Sequence, residues 1–228
     1  MPATKAAGPG GWRLAVLAVA GAMMLVNLWL IFAYVPTEVS MGVVQRIFYF
    51  HVPTVEIGFV AFFVVFVASI WYLVSRKPSA DRLAQAAAEI GTMFLTVAII
   101  MGAIWAKKAW GTWWIWDNKL TTTFVLWLIY AGYLMVRAYA PTRAQAARWG
   151  AIIGIISFLD VPIVYAASSI LHPAETLTTE GGLEPAMRLA HWFSFFAFGV
   201  LFVYMTMLRS GQHHDEERID ELRRTTIE

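Results

Sequence analysis

Long apolar stretches separated by short polar segments dominate the chain. Each stretch is close to the ~20 residues that a helix needs to cross the hydrocarbon core of a bilayer. The alternation of a barrel strand is missing, and a helix satisfies its backbone polar groups within its own segment. The pattern therefore predicts an all-α membrane protein with six transmembrane helices. The six stretches are Leu14–Val35, Val52–Val74, Ile90–Ala106, Leu120–Tyr139, Trp149–Leu171 and Leu189–Leu208.

Composition supports this class and excludes others. Of the 228 residues, 59% are hydrophobic and only 14% are charged, against about a quarter charged in ordinary soluble domains. The absence of cysteine excludes disulfides and thiolate metal sites. A net charge of +2 does not point to nucleic acid, and no glycine-rich phosphate loop is visible, so we expect no ATP hydrolysis by this chain. We predict one membrane domain, residues 1–212, followed by a charged and solvated helical tail, residues 213–228.

Lysine and arginine predict the orientation, because they concentrate in cytoplasmic loops. Twelve of the 17 basic residues fall in the termini and in two of the connections, and five fall in the alternate connections. Both termini are therefore predicted to be cytoplasmic, and the first helix is expected to stay uncleaved. The three short outer segments are Pro36–His51, Lys107–Lys119 and His172–Arg188.

The second outer segment contains four tryptophans and a carboxylate within eight residues, 110–117 (Trp-Gly-Thr-Trp-Trp-Ile-Trp-Asp). If this run is helical, Trp110, Trp113, Trp114 and Asp117 share one face. They would form a flat aromatic shelf suited to a large planar molecule with polar edges, with haem as the leading candidate. The alternative is an aromatic belt at the membrane interface, although belts rarely place four tryptophans so close together.

Three of the five histidines are predicted on the same outer side as the tryptophans. His51 and His172 each lie near a proline at a predicted helix end, where their imidazoles would project over the membrane surface. His191 lies within the last apolar helix and could instead form a hydrogen bond inside the bundle. Because two imidazoles can hold a haem iron from opposite faces, we favour His51 and His172 as the axial ligands. His213 and His214 are predicted to be solvated.

Several other polar residues have candidate roles. Haem carries two propionates, and Arg46 and Lys119 are the outer basic residues nearest in sequence to His51 and to the tryptophans. Asp117 could orient a histidine, cap the fourth helix or pair with Lys119. Asp160 lies within the fifth apolar stretch, where a hydrogen-bonded pair inside the bundle, with Asn27 as a candidate partner, is the simpler expectation.

The residues just described resemble those of a known family. The tryptophan run followed by Lys119, Leu120 and Thr121 resembles the tryptophan-rich signature, ending Trp-Trp-x-Trp-Asp, of haem-handling membrane proteins. The segment Arg46–Pro53 resembles the one that carries the first outer histidine of these proteins, and Leu171-His172 resembles the second. The length and the six-helix layout are similar to those of the haem exporter protein C (CcmC) branch of cytochrome c maturation, over nearly the whole chain up to Leu208.

This resemblance implies a function. Haem b would be carried as cargo at the outer, periplasmic face of the bacterial inner membrane, with His51 and His172 as axial ligands. The platform would consist of Trp110, Trp113, Trp114, Trp116 and Asp117. The haem would be delivered to the chaperone CcmE, in a complex with the transporter subunits CcmA and CcmB and the small protein CcmD. The chain would then be a transfer component rather than an enzyme.

Two other functions are considered from the residues. A b-type cytochrome subunit for electron transfer buries its histidines within helices, whereas here the apolar spans contain only His191. A scaffold of a transporter is the other alternative: it would assemble with its partners but bind no haem.

Overall fold

The computed structural model describes residues 11–39, 41–169 and 183–227. Six helical spans within these residues are long and apolar enough to cross a membrane, which confirms the predicted all-α class and the number of transmembrane helices. Apart from one isolated bridge between Glu38 and Gly42, the described part of the chain contains no β-structure.

Seven α-helices make up these spans. The first continues into a short π-helical segment, Leu30–Tyr34, and a 3₁₀ segment, Val43–Ile47, leads directly into the second. The helices are α1 (Gly11–Trp29), α2 (Phe48–Ser75), α3 (Pro78–Trp110), α4 (Asn118–Tyr139), α5 (Arg143–Ser157), α6 (Asp160–Ser169) and α7 (Pro185–Ile227).

Helices α2 and α3 form a close antiparallel pair at the centre of the bundle. A Cβ atom at Gly91 would lie 2.7 Å from that of Ala61, so the glycine permits the close approach of the two helices. Phe62 stacks on Tyr130 of α4 with ring centroids 3.6 Å apart, and both side chains are fully buried. The core therefore joins α2, α3 and α4 and fixes the position of the ends of these helices.

The fifth span is broken, which corrects the prediction of one helix over Trp149–Leu171. Helix α5 ends at Ser157 and α6 begins at Asp160, with Pro162 in the first turn of α6, where its missing N–H costs no helical hydrogen bond. The proposed partnership of Asp160 with Asn27 is wrong, because Nδ2 of Asn27 and Oδ2 of Asp160 have no hydrogen-bond partner among the described residues. Asn27 instead accepts a hydrogen bond on Oδ1 from the Ser194 hydroxyl of α7, at 2.7 Å.

Helix α7 is much longer than its apolar stretch. It starts at Pro185 and runs without a break to Ile227, so the domain boundary predicted after residue 212 falls inside a helix. The prediction that His213 is solvated is wrong. Its side chain is buried, and its Nε2 atom lies 3.1 Å from a carboxylate oxygen of Glu89 on α3.

Ion pairs join the helices at the end of the bundle that contains the α2–α3 turn, which we call the ion-pair end. Arg137 of α4 donates two hydrogen bonds to Asp81 of α3, at 2.7 and 2.9 Å. Arg82 of α3 contacts Glu217 of α7 at 2.7 Å, and Arg209 of α7 contacts Glu89. These contacts explain why the polar ends of α3 and α7 stay helical beyond their apolar parts. The opposite end, which contains residues 110–118, is the tryptophan end.

Candidate functional site

His51 lies in the first turn of α2, at the tryptophan end of the bundle. The 3₁₀ segment before it leads into the helix without a break, so the helix begins before Pro53 rather than at it. The imidazole turns inward onto α3, where its Nδ1 atom lies 3.0 Å from the backbone oxygen of Ala98. The prediction that this ring projects over the membrane surface is therefore wrong.

The contact with Ala98 determines which nitrogen of His51 is available to a ligand. A carbonyl oxygen can only accept a hydrogen bond, so Nδ1 must be the protonated donor. In a neutral imidazole the other nitrogen, Nε2, then carries the lone pair. Metal-binding histidines are held in this way in many proteins, by a hydrogen bond from the nitrogen that does not bind the metal. His51 therefore has its lone pair on Nε2, the form in which an imidazole binds a metal.

Gly102 provides the space that the imidazole occupies. A Cβ atom at this position would lie 2.9 Å from Cε1 of His51, closer than side-chain atoms pack. Gly102 lies one helical turn after Ala98, on the same face of α3. The hydrogen-bond acceptor and the gap that admits the ring therefore come from one face of α3.

Trp105, which the sequence analysis did not select, contacts His51 from the side. The two rings meet edge to face with centroids 5.7 Å apart, and Phe48 packs against the same indole at 6.4 Å. The indole N–H of Trp105 is buried and has no hydrogen-bond partner among the described residues. Trp105 lies at the end of the third apolar stretch, Ile90–Ala106, and no local pattern distinguishes it from a tryptophan at the membrane interface.

The tryptophan run is not a helix, which corrects the helical shelf considered from the sequence. Helix α3 ends at Trp110, and Gly111 follows in the left-handed conformation with φ of 77°. Residues 111–117 form an irregular connection, and α4 starts at Asn118. Glycine ends helices in this way because it adopts positive φ without a steric penalty.

The four tryptophans consequently separate into two pairs. Trp110 and Trp114 line a cleft together with His51. Trp113 and Trp116 are more exposed, at 57% and 74%, and Trp113 lies under the ammonium group of Lys107 at 5.9 Å. Trp114 and Trp116 meet edge to face at 5.6 Å. The end of α3 and the connection thus each contribute one indole to the cleft lining, and the other two indoles lie outside it. Trp110 is itself 51% exposed.

Asp117 caps the start of α4, which confirms one of the three roles predicted for it. Its Oδ1 atom accepts a hydrogen bond from the backbone N–H of Leu120 at 2.7 Å. The cap starts α4 at the point where Lys119, in the first turn, faces the cleft. Lys119 is the basic residue that the described cleft places beside His51.

Four of the described residues predicted for the site do not line the cleft: Arg46, Trp113, Trp116 and Asp117. The guanidinium of Arg46 lies over the ring of Phe32 at 5.7 Å and is not part of the cleft lining. His172, the predicted second axial ligand, lies outside the described residues.

His191 forms a contact within the bundle, as the sequence analysis considered. It is 5% exposed, and its Nε2 atom lies 3.5 Å from Oε1 of Glu56. Its ring packs against Phe48 at 5.2 Å. It faces α2 and does not line the cleft.

The cleft has the properties of a site for a flat, mostly apolar ligand. It is open on one side and has a volume of about 120 Å³, below the ~300–1,000 Å³ of enclosed cofactor sites, so a large planar ligand would extend out of its open side. Alanine and glycine of α3 form one flat wall, indoles form another, and one ammonium group lies at the edge. The lining residues are His51, Val55, Ala98, Ile99, Gly102, Ala103, Trp105, Ala106, Trp110, Trp114, Lys119, Leu120 and Thr123.

These residues fit haem better than a bare metal ion. Within the described ranges, no three side chains of His, Cys, Asp or Glu converge on one point, as a protein metal site of several ligands would need. Haem supplies four equatorial nitrogens itself and needs only axial ligands from the protein. One available imidazole nitrogen beside apolar walls is sufficient for that purpose.

A second cleft, at the ion-pair end, is larger but differs in chemistry. It has a volume of about 600 Å³ and is lined by charged residues that include Asp81, Glu89, Arg137 and His213. Most of these charges are already paired with each other across helices. An apolar planar ligand would have to separate those pairs, so the cleft beside His51 is the candidate site.

Comparison with known proteins shows the family of this chain. A family model described as Heme exporter protein C matches residues 4–225. The Heme exporter protein C of Escherichia coli K12 is 31% identical over 203 residues, which cover 87% of this chain and 82% of that protein. The proteins of the same name from Bradyrhizobium diazoefficiens and Rhodobacter capsulatus are 31% and 30% identical, over 75% and 84% of this chain and 67% and 81% of their own lengths.

The residues matched by the family model cover nearly all of the six spans, and the cleft residues on α2, α3 and α4 lie within that range. The similarity to haem exporter proteins indicates that this multi-pass membrane protein is a transport component rather than a catalytic enzyme. The chain belongs to the Heme exporter protein C family, whose members support a role in haem export for cytochrome c biogenesis.

Proposed function

We propose that this chain binds haem b in the cleft at the tryptophan end and delivers it to the haem chaperone CcmE. His51 is the first axial ligand and His172, in the connection before α7, is the second. The cleft faces the periplasm in the bacterial inner membrane, and the chain works with CcmA, CcmB and CcmD. ATP hydrolysis takes place in the partner subunits.

One observation carries this proposal. The hydrogen bond from Nδ1 of His51 to Ala98 leaves Nε2 as the free nitrogen in a cleft lined by two indoles of the tryptophan run. Haem binding needs this combination of an axial nitrogen and apolar walls. Family membership supports the same cargo.

The residues of the cleft have separate roles in this proposal. His51 and His172 hold the iron, while Trp110 and Trp114 cover a face of the porphyrin and exclude water from it. Lys119 pairs with a propionate at the edge of the cleft. The exposed Trp113 and Trp116 extend the apolar surface toward the chaperone. The reactivity belongs to the haem, and the protein supplies its position and the local electrostatics.

Haem titration of the purified full-length protein in detergent tests the ligand assignment. Wild type is expected to give the absorption spectrum of a low-spin haem with two histidine ligands. His51→Gly and His172→Gly are each expected to lose that spectrum and to regain it with added imidazole. His214→Gly is the matched control, because His214 is exposed at the ion-pair end of α7. If both glycine variants kept the two-histidine spectrum, the assignment would be wrong.

A second experiment tests delivery. Haem-loaded protein is mixed with haem-free CcmE, the two are separated, and the haem in each fraction is measured. We expect transfer from wild type and reduced transfer from Trp113→Ala and Trp116→Ala, with Trp149→Ala, an exposed tryptophan of α5, as control. Haem that stays on the wild-type protein would contradict the proposed role in delivery.

A further inference from the structure

The helix that carries His51 and the helix that follows the His172 connection meet at one buried polar contact. Glu56 lies five residues after His51 on α2, and His191 lies six residues after the start of α7 at Pro185. Their side chains approach to 3.5 Å, from Nε2 of His191 to Oε1 of Glu56. This contact therefore joins α2, which carries one proposed axial ligand, to α7, which follows the connection that contains the other.

An unbroken series of ring contacts leads from this pair to His51. His191 packs against Phe48 at 5.2 Å, Phe48 packs against Trp105 at 6.4 Å, and Trp105 packs against His51 at 5.7 Å. Phe48 is 2% exposed. Because buried rings at native packing density have little free space, a shift of one ring displaces the next.

The remaining polar atoms of these two side chains form no hydrogen bond among the described residues. Nδ1 of His191 and Oε2 of Glu56 are buried and have no hydrogen-bond partner among the described residues. Buried polar atoms without partners are costly, so the contact between Nε2 of His191 and Oε1 of Glu56 is the polar contact by which these two side chains hold α7 and α2 together.

We propose that His191 and Glu56 are positioning residues for His51 and act on its imidazole through Phe48 and Trp105. The contact holds α7 against α2, and the two rings transmit that position to the side chain that binds iron. This inference rests on the proposed function for its consequence, since a displaced His51 would hold haem less well. The geometric part concerns the protein without haem and can be tested separately.

The first test measures His51 in the haem-free protein. Diethyl pyrocarbonate modifies the unprotonated nitrogen of imidazole, and mass spectrometry gives the rate at each histidine. We expect His191→Leu and Phe48→Ala to change the rate at His51 by about twofold to thirtyfold, the range that contact networks transmit. Glu56→Gln keeps an acceptor for His191, so its rate of modification at His51 is expected to be close to that of wild type.

The control variant is Ser194→Ala. Ser194 lies one turn after His191 on α7 and bonds Asn27 of α1, so its loss perturbs the same helix without touching the ring series. It is expected to leave the His51 rate unchanged. The thermal midpoint of each variant, measured in parallel, identifies any that fails to fold.

The second test is a double-mutant cycle. Because Phe48 lies between His191 and Trp105, the effects of His191→Leu and Phe48→Ala on His51 are expected to be less than additive. In the haem-loaded protein, the midpoint potential of the iron should shift with His191→Leu and not with Ser194→Ala.

The outcomes separate this inference from the proposed function. If wild type bound no haem, the proposed function would fail while the labelling experiment still decided whether His191 positions His51. If haem bound as proposed but His191→Leu and Ser194→Ala gave the same His51 rate, the positioning role would be wrong. Fully additive effects in the cycle would also overturn it.

Discussion

Replacing Gly102 by alanine is the sharpest test of the His51 geometry, because it adds one methyl group at a known place. The new Cβ would lie 2.9 Å from Cε1 of His51, and ordinary contact needs at least 3.4 Å. The imidazole must therefore move by about 0.5 Å, since it is the free end of a side chain and α3 is held by its neighbours. The hydrogen bond from Nδ1 to Ala98, now 3.0 Å, would lengthen toward the limit of hydrogen bonding.

The size of the effect follows from that hydrogen bond. Its net contribution is about 0.5–1.5 kcal/mol, so its loss should weaken haem binding by about 2-fold to 13-fold. The assay is a haem titration of the purified protein followed by absorbance, with the intensity of the low-spin spectrum as a second measurement. The fold should survive, because alanine is the better helix former.

Gly132→Ala is the matched control. Gly132 also lies within a helix, α4, but a Cβ atom there would meet nothing within 4 Å. Both variants gain the same helix propensity, so a difference between them reports the contact with His51. Equal haem affinity for the two variants would refute the argument that Gly102 makes room for the imidazole.

Four further outcomes are expected. Asp117→Ala should lower the stability of the protein by about 0.5–2 kcal/mol through loss of the α4 cap, while Asp117→Asn should cost much less; thermal unfolding measures both. Lys119→Gln should weaken haem binding by up to about fivefold and should have no effect on haem dimethyl ester, which lacks the carboxylates. Arg137→Met should destabilise the protein by up to about 3 kcal/mol because it leaves the partly buried Asp81 carboxylate without its partner, and the double variant with Asp81→Leu should recover much of the loss in chemical unfolding. Gly91→Ala should cost about 1–3 kcal/mol by forcing α2 and α3 apart, again measured by unfolding.

The number of membrane helices could be predicted because it depends on segment length and apolar content alone. Helix boundaries could not, since the ends of α3 and α7 are polar and are held by contacts such as Arg82–Glu217 and Arg209–Glu89. These partners are more than a hundred residues apart in sequence. No local sequence pattern predicts these contacts.

The candidate site shows the same division. His51 and the tryptophans could be selected as candidate site residues because packing alone rarely explains a cluster of histidines and tryptophans near one predicted face of a membrane protein. The inward orientation of His51 was not, because it depends on a glycine and a carbonyl group of α3, which have no distinctive local signature. The helical shelf was wrong because Gly111 ends one helix and Asp117 starts the next, leaving no helix between them.

The continuous course of α7 has a mechanical consequence. Its 43 residues span about 65 Å at 1.5 Å per residue, roughly twice the ~30 Å of bilayer hydrocarbon. About 39 Å separates His191, beside α2, from Glu217, which is tied to Arg82. The helix is thus one rigid element with contacts to α2 near its start and to α3 near its end. A tilt of one end must strain or shift the contacts at the other end.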